Sequence, residues 1–235
     1  MINFYSKSIK KRISYFALVL FILTSLGACK KSEETITPAF YLSVINTSPT
    51  AATYDVYLND VKLNTAALPF GGGVAYTARP TGSYNIKLTV ANSIENVITK
   101  NVSLPDSKYY SYYFIDRPNV IDGILVTDEV TGAATDKASV RFINLSPDAP
   151  ALDLATSTGT PLATDKSFKQ YSGFTQIAPG ATVLLIKDKV SGATKSTLES
   201  FTFVAGGYYT VIARGLQSPA SSLENGFSGQ IILHK

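Results

Sequence analysis

The chain has 235 residues, 45% of them hydrophobic and 16% charged, a balance that excludes a disordered polymer. Its net charge of +4 is misleading: of 21 basic residues, Lys7, Lys10, Lys11 and Arg12 fall before residue 28, so 17 remain beyond it against 17 acidic ones. A protein that tracks a phosphate backbone needs a basic surface, so nucleic acid is excluded as a partner.

Residues 1–28 read as a secretory signal peptide, a basic stretch followed by an apolar run over residues 13–26. As a helix that run spans about 21 Å, short of a hydrocarbon core of roughly 30 Å, so cleavage is expected rather than a membrane span. It ends in Leu26-Gly27-Ala28-Cys29, which resembles the bacterial lipobox. The resemblance implies a diacylglyceryl group on the Cys29 thiol, cleavage between Ala28 and Cys29, and acylation of the new amine. No other cofactor is expected. Cys29 is the only cysteine, so no disulfide within the chain competes with lipidation. Burial of acyl chains contributes about 0.8 kcal/mol per CH2, enough for stable anchoring when more than one chain is attached.

Residues 29–38 form the lipidated Cys and a polar tether. Lys30-Lys31-Ser32-Glu33-Glu34 is similar to the charged export signals of Bacteroidota surface lipoproteins, and reads equally as a solvated linker. The expected location is the cell envelope, as an outer-membrane lipoprotein facing the cell surface or the periplasm.

From residue 40 onward the pattern alternates with period two. Tyr84, Ile86, Leu88 and Val90 share one face opposite Asn85, Lys87 and Thr89, as in a half-buried antiparallel strand. Tyr54, Val56 and Leu58 flank an outward Asp55 before a turn at Asn59-Asp60. Gly71-Gly72-Gly73 permits a bend. Asn46, Ser48, Pro49 and Asp55 recur 98 residues later as Asn144, Ser146, Pro147 and Asp153, the mark of an internal duplication. Tyr109-Tyr110 recurs as Tyr208-Tyr209 at an offset of 99, so one residue is inserted in the second copy. The plan is therefore a first repeat over 39–130, a linker over 131–137 and a second repeat over 138–235. Strands are expected over 139–144, 182–187, 195–204 and 230–234. Seven or eight short strands per repeat, with turns every 8–12 residues, predict an all-β chain of two tandem immunoglobulin-like β-sandwiches.

The segment Ser146-Pro147-Asp148-Ala149-Pro150-Ala151-Leu152-Asp153-Leu154 and the turn Pro80-Thr81-Gly82-Ser83-Tyr84 resemble the signature of bacterial domain of unknown function 4397, in two copies covering nearly all of residues 39–235. The first copy departs from it, with Thr50 for the Asp and Ala52-Thr53 where Pro150-Ala151 stand. The resemblance implies an envelope or extracellular β-rich module without an assigned activity.

Little in the chain points to catalysis. Asp148 and Asp153 read as a turn residue and a strand residue tied to backbone. Asp116, Asp122, Asp128 and Glu129 lack the spacing of a calcium loop. His234 is the only histidine, which argues against a histidine-activated nucleophile; a two-carboxylate hydrolase of polysaccharide or ester survives as a minor alternative. The candidate ligand contacts are aromatic. Tyr110 and Tyr112 share one face of a strand, and Tyr109 and Tyr113 the other. One face must be core, and the remaining one offers a platform for a glycan or protein ligand. The expected function is a non-catalytic, membrane-anchored surface binding module, with a passive envelope spacer as the alternative.

Overall fold

A computed structural model describes residues 38–105, 107–130, 132 and 134–234. The expected signal peptide, the expected cleavage and lipidation sites at Ala28 and Cys29, and the expected tether up to residue 37 lie outside the described residues. Regular structure among the described residues is all strand, apart from a 3-10 turn at Pro118–Val120. The first repeat contains β1 (Ala39–Asn46), β2 (Tyr54–Leu58), β3 (Val61–Lys62), β4 (Gly73–Pro80), β5 (Gly82–Val90), β6 (Asn96–Leu104), β7 (Tyr109–Ile115) and β8 (Asp122–Asp128). The second contains β9 (Ala138–Asn144), β10 (Leu152–Thr156), β11 (Pro161–Lys166), β12 (Thr175–Ile177), β13 (Gly180–Thr182), β14 (Leu184–Asp188), β15 (Thr194–Thr197), β16 (Phe201–Phe203), β17 (Tyr208–Arg214) and β18 (Ser228–Leu233).

Each repeat is an immunoglobulin-like sandwich of two four-stranded sheets. In the first the sheets run β4-β1-β7-β8 and β3-β2-β5-β6; in the second, β12-β9-β17-β18 and β11-β10-β14-β15, with a small β13-β16 pair beside them. The β1–β7 and β9–β17 pairings are parallel and in equivalent register, Tyr41 opposite Tyr109 and Ser139 opposite Tyr208. Alternation along the strands builds the cores. Leu42, Val44, Tyr110, Tyr112 and Phe114 meet Val56, Leu58, Ile86 and Leu88 in the first repeat. Val140, Phe142, Tyr209 and Val211 meet Leu152, Leu154, Leu184 and Ile186 in the second.

A third core joins the two repeats. The residues of β1, β7 and β8 that point away from the first sandwich, Ile45, Tyr113, Ile115 and Val126, pack on Ile143, Leu145 and Ile212 of the second. The four sheets therefore stack in series, and β1, β7, β9 and β17 are covered on both faces. Burial contributes roughly 1.5–3 kcal/mol per fully covered aliphatic or aromatic side chain. Ion pairs at the rim of the seam, Lys169–Asp122 at 3.0 Å and Arg117–Glu224 at 2.6 Å, contribute about 0–1 kcal/mol each. Apolar contact dominates the joint.

One end of the seam is polar, with a buried ion pair at its centre. Arg141 and Asp128 form an ion pair across it, with side chains 2% and 0% exposed. Ser111 Oγ donates to Asp128 Oδ2 at 2.7 Å and Tyr76 Oη to the same oxygen at 2.5 Å. Arg141 Nε donates to Thr210 Oγ1 at 2.8 Å. His234 closes the circuit, its Nδ1 2.6 Å from Tyr76 Oη and its Nε2 2.5 Å from Thr210 Oγ1. A neutral imidazole protonated on Nδ1 satisfies every contact at once: Nδ1–H donates to Tyr76 and Nε2 accepts from Thr210.

Two sequence expectations change. Asp55 does turn away from the core, yet it is only 3% exposed, because Lys62 Nζ at 2.8 Å, Asn64 Nδ2 at 3.1 Å and the Asn92 backbone N–H at 3.2 Å close over it. The strand expected over 195–204 is interrupted, splitting into β15 and β16. Its partner is interrupted opposite, between β13 and β14. The second repeat thus has ten strands rather than seven or eight.

Removing one member of the Arg141–Asp128 pair leaves the other as an uncompensated buried charge. Asp128→Ala is expected to lower the unfolding free energy by about 3–5 kcal/mol, and the double variant Asp128→Ala with Arg141→Leu to recover much of that loss. Equilibrium urea denaturation distinguishes the two, and a single-variant loss below about 1 kcal/mol would contradict the buried pair.

Candidate functional site

The duplicated signature is a structural knot. In each repeat an asparagine ends the central strand and its Oδ1 accepts the N–H two residues on: Asn46 from Ser48 at 3.2 Å, Asn144 from Ser146 at 3.1 Å. The serine hydroxyl then donates to the carbonyl that follows the parallel strand, Ser48 to Asp116 at 2.7 Å and Ser146 to Gly215 at 2.6 Å. Those acceptors occupy the same left-handed conformation, φ 72° and 80°. The asparagine carbonyl accepts from Gly71 N at 2.7 Å in one repeat and Lys169 N at 2.8 Å in the other, again at matched positive φ of 80° and 69°. Both asparagines and both serines are fully buried.

The carboxylates of the signature serve the same end. Asp148 accepts from Gln217 N at 2.8 Å and Ser218 N at 3.0 Å, and Asp153 from Asp165 N at 2.7 Å. The backbone bonds expected for both are present. In the first copy, where Thr50 stands in place of the Asp, the loop meets the second repeat through its backbone: Thr50 forms a bridge with Glu224, and Asn225 N donates to the Pro49 carbonyl at 3.1 Å. Asp122, pulled down to about 2, loses by burial but gains more from Lys100 at 2.9 Å and Lys169 at 3.0 Å. Among the described residues no group of three or more His, Cys, Asp or Glu is placed to hold a metal ion.

The tyrosine platform expected from the sequence is covered. Tyr110 and Tyr112 are 4% and 1% exposed in the first core, and Tyr113 is 0% exposed in the seam. Neither strand face is free, because the second repeat occupies the one that a lone sandwich would show to solvent. Burial raises the phenol pKa of all three, that of Tyr113 to about 12. Tyr109 is half-buried, stacked on Tyr41 with centroids 4.5 Å apart and met edge-on by Tyr76 at 5.2 Å. These rings are packing residues.

Two concave places remain of interest. A groove of about 320 Å3 between β4 and β18 is lined by Tyr76 and His234, the side chains most suggestive of chemistry. Both nitrogens of His234 are already occupied by protein hydroxyls. Burial drives its pKa down to about 4, Arg141 adding to the effect and Asp128 opposing it. The Tyr76 hydroxyl is pushed up by burial and then by Asp128. Neither group is poised to move a proton to a ligand near neutrality.

The second place is a cleft of about 520 Å3 in the second repeat. It opens between the edge strands β11 and β12 and the broken hairpin β13–β16. Its walls carry Ser157, Thr160, Gln176, Thr182 and Ser200 around a floor that includes Leu162, Ile177 and Val183, with no charged residue in the lining. The break in the hairpin forms one wall. Thr182 pairs with Phe201 and Leu185 with Thr197, so Val183 and Leu184 face the three residues Leu198, Glu199 and Ser200. That is a one-residue bulge. In the first repeat the equivalent strands β5 and β6 each run unbroken for nine residues. The shift in repeat offset from 98 to 99 arises at this bulge. The offset was the only signal of the cleft in the sequence, and it identifies an insertion without locating what opens beside it.

Comparison with known proteins gives a match to a family model over part of the chain and no role. The sequence model of a family described as Domain of unknown function (DUF4397) matches residues 40–155, a segment holding all but the first residue of the first repeat, β9 and nearly all of β10. No curated protein matches. Among solved structures, the chain is similar at 9% identity to CBMbc, a family CBM26 module from Eubacterium rectale Amy13K in complex with maltoheptaose, over 84% of this chain and 96% of that one, with a TM-score of 0.25. It is similar at 11% identity to the Bacillus anthracis TIE protein, over 76% of this chain and 34% of that one, with a TM-score of 0.24. At such TM-scores neither structure bears on what this chain binds.

The circuit around His234 makes folding sensitive to acid. Its folded-state pKa lies below the ordinary 6.5, at about 4, so the unfolded chain binds the proton first as pH falls. The contribution is complete above about pH 6.5 and is lost progressively down to about pH 4, a change on the order of 3 kcal/mol. His234→Gln is expected to flatten the stability profile across that window relative to the parent. Parallel profiles from urea titrations at a series of pH values would contradict it.

Proposed function

We propose that this chain, which matches a domain of unknown function over residues 40–155, is a non-catalytic binding protein held at the bacterial envelope by a lipid on Cys29. The cleft of the second repeat is its site. The observation that carries this reading is the bulge: the residue that distinguishes the second copy from the first lies beside an opening walled by hydroxyl and amide groups. Bulges commonly interrupt pairing next to functional sites, and a volume of this size suits a small ligand. The occupied nitrogens of His234 support a role without catalysis.

The seam favours a second reading. A shared apolar core and a buried ion pair hold the repeats rigidly, as a passive spacer in the envelope requires. Under either reading the anchor is the same.

Cys29→Ala is expected to move the protein from the membrane fraction to the soluble or secreted fraction. Retention in the membrane would remove the lipid anchor. Proteolytic shaving of intact cells, with a periplasmic lipoprotein as leakage control, is expected to degrade the parent protein if its sandwiches face outward. Protection despite proven protease access would place them in the periplasm and retire the export reading of Lys30–Glu34.

A further inference from the structure

We infer that the cleft of the second repeat binds a short segment of an uncharged sugar chain, an inference that rests on the binding reading above and names its ligand. The side chains of Ser157, Thr160, Gln176, Thr182 and Ser200 line the cleft and make no hydrogen bond to any described residue. The neighbouring hydroxyls are occupied: Thr156 and Thr158 bond each other at 2.8 Å, and Thr175 Oγ1 donates to the Leu162 carbonyl at 2.9 Å. The unoccupied groups therefore form a set distinct from those that hold the loops together.

The chemistry of that set selects the ligand. Hydroxyl and carboxamide groups both donate and accept, as sugar hydroxyls do, so many pairings satisfy both sides. An anionic ligand calls for a guanidinium, an ammonium or a converging set of N–H groups. A divalent cation calls for several carboxylates. The lining holds no charged side chain of either sign, which disfavours both. Between the polar groups lie Pro161, Leu162, Ile177 and Val183, apolar surface that fits the C–H faces of a pyranose ring. No aromatic ring lines the cleft, so recognition relies on hydrogen bonds and aliphatic contact rather than stacking.

The bulge supplies the last element. It carries Ser200 on one side and Val183 on the other, one polar and one apolar wall contact, whereas the hairpin of the first repeat pairs Asn85 with Asn101 at that level and bonds their side chains to each other at 2.8 Å. Glu199 sits in the bulge, exposed, outside the lining. Binding is therefore assigned to the second repeat alone, with one ligand per chain.

The test is calorimetric titration of the full chain in detergent with neutral malto-, cello-, xylo- and manno-oligosaccharides, with an oligogalacturonate as the anionic probe and a Ser/Thr-rich peptide as the peptide probe. At least one neutral sugar is expected to bind with one site per chain and little dependence on salt. Gln176→Ala and Ser200→Ala are each expected to weaken it about tenfold, equivalent to about 1.4 kcal/mol, with the melting temperature unchanged. Preference for the anionic sugar or the peptide would overturn the ligand class while leaving the binding reading standing. Neutral-sugar binding unaffected in both variants would overturn the site. Failure of every probe, with folding verified by the melting transition, would overturn the binding reading itself.

Discussion

The ion pair between Arg141 and Asp128 lies buried where two sandwiches meet, and it constrains how the two repeats can align. Each partner belongs to a different repeat, and each would be an isolated charge if the repeats separated into dry surfaces. Separation into water would hydrate both, so the pair alone favours register more than adhesion. Adhesion comes from Ile45, Tyr113, Ile143, Ile212 and their neighbours. The ion pair specifies which faces meet and in what alignment, and the apolar residues beside it supply the free energy.

That division explains several features that otherwise look like chemistry. A histidine, a tyrosine, an aspartate and two hydroxyl residues converge within hydrogen-bond distance, yet their hydrogen bonds are made to one another and to Arg141. Their closure accounts for the low pKa of His234 and the high one of Tyr76. The repeated Asn-x-Ser-Pro motif belongs to the same class. It locks the end of a central strand to two neighbouring loops, using the same bonds and the same positive-φ positions in both copies. One of those positions is Asp116 in the first copy and Gly215 in the second, so the backbone conformation persisted where the residue did not. In the second copy a Cβ at Gly215 would lie 2.1 Å from the Gly226 carbonyl oxygen.

Duplication leaves each copy free to differ where the other suffices. The first copy keeps an unbroken hairpin and gives its Pro49–Ala51 loop to contacts with residues 223–225 of the second. The second carries the bulge and the cleft. The repeats thus share a scaffold and divide their surfaces between mutual support and an accessible opening.

Much of the fold was legible in the sequence because period-two alternation and turn residues report which side of a strand is buried. β5 shows it plainly, with Ile86 and Leu88 in the core and Asn85 facing solvent. The same rule misled at Tyr113 and Asp55. Alternation says that successive side chains point to opposite faces; it does not say whether the second face meets water, another sheet or a closing loop. Spacing likewise revealed the duplication and the single inserted residue. By itself the sequence determined the all-β class, most of the strands and the two copies, since alternation and repeat spacing are written along the chain; that Asp148 and Asp153 bond backbone was also expected, but their donors lie 69, 70 and 12 positions away. Only the tertiary structure decided that the tyrosines are packed away, that His234 meets Tyr76 across 158 positions, and that the insertion opens a cleft. Each of those depends on which distant surfaces come together, a property of the assembled faces rather than of any local pattern.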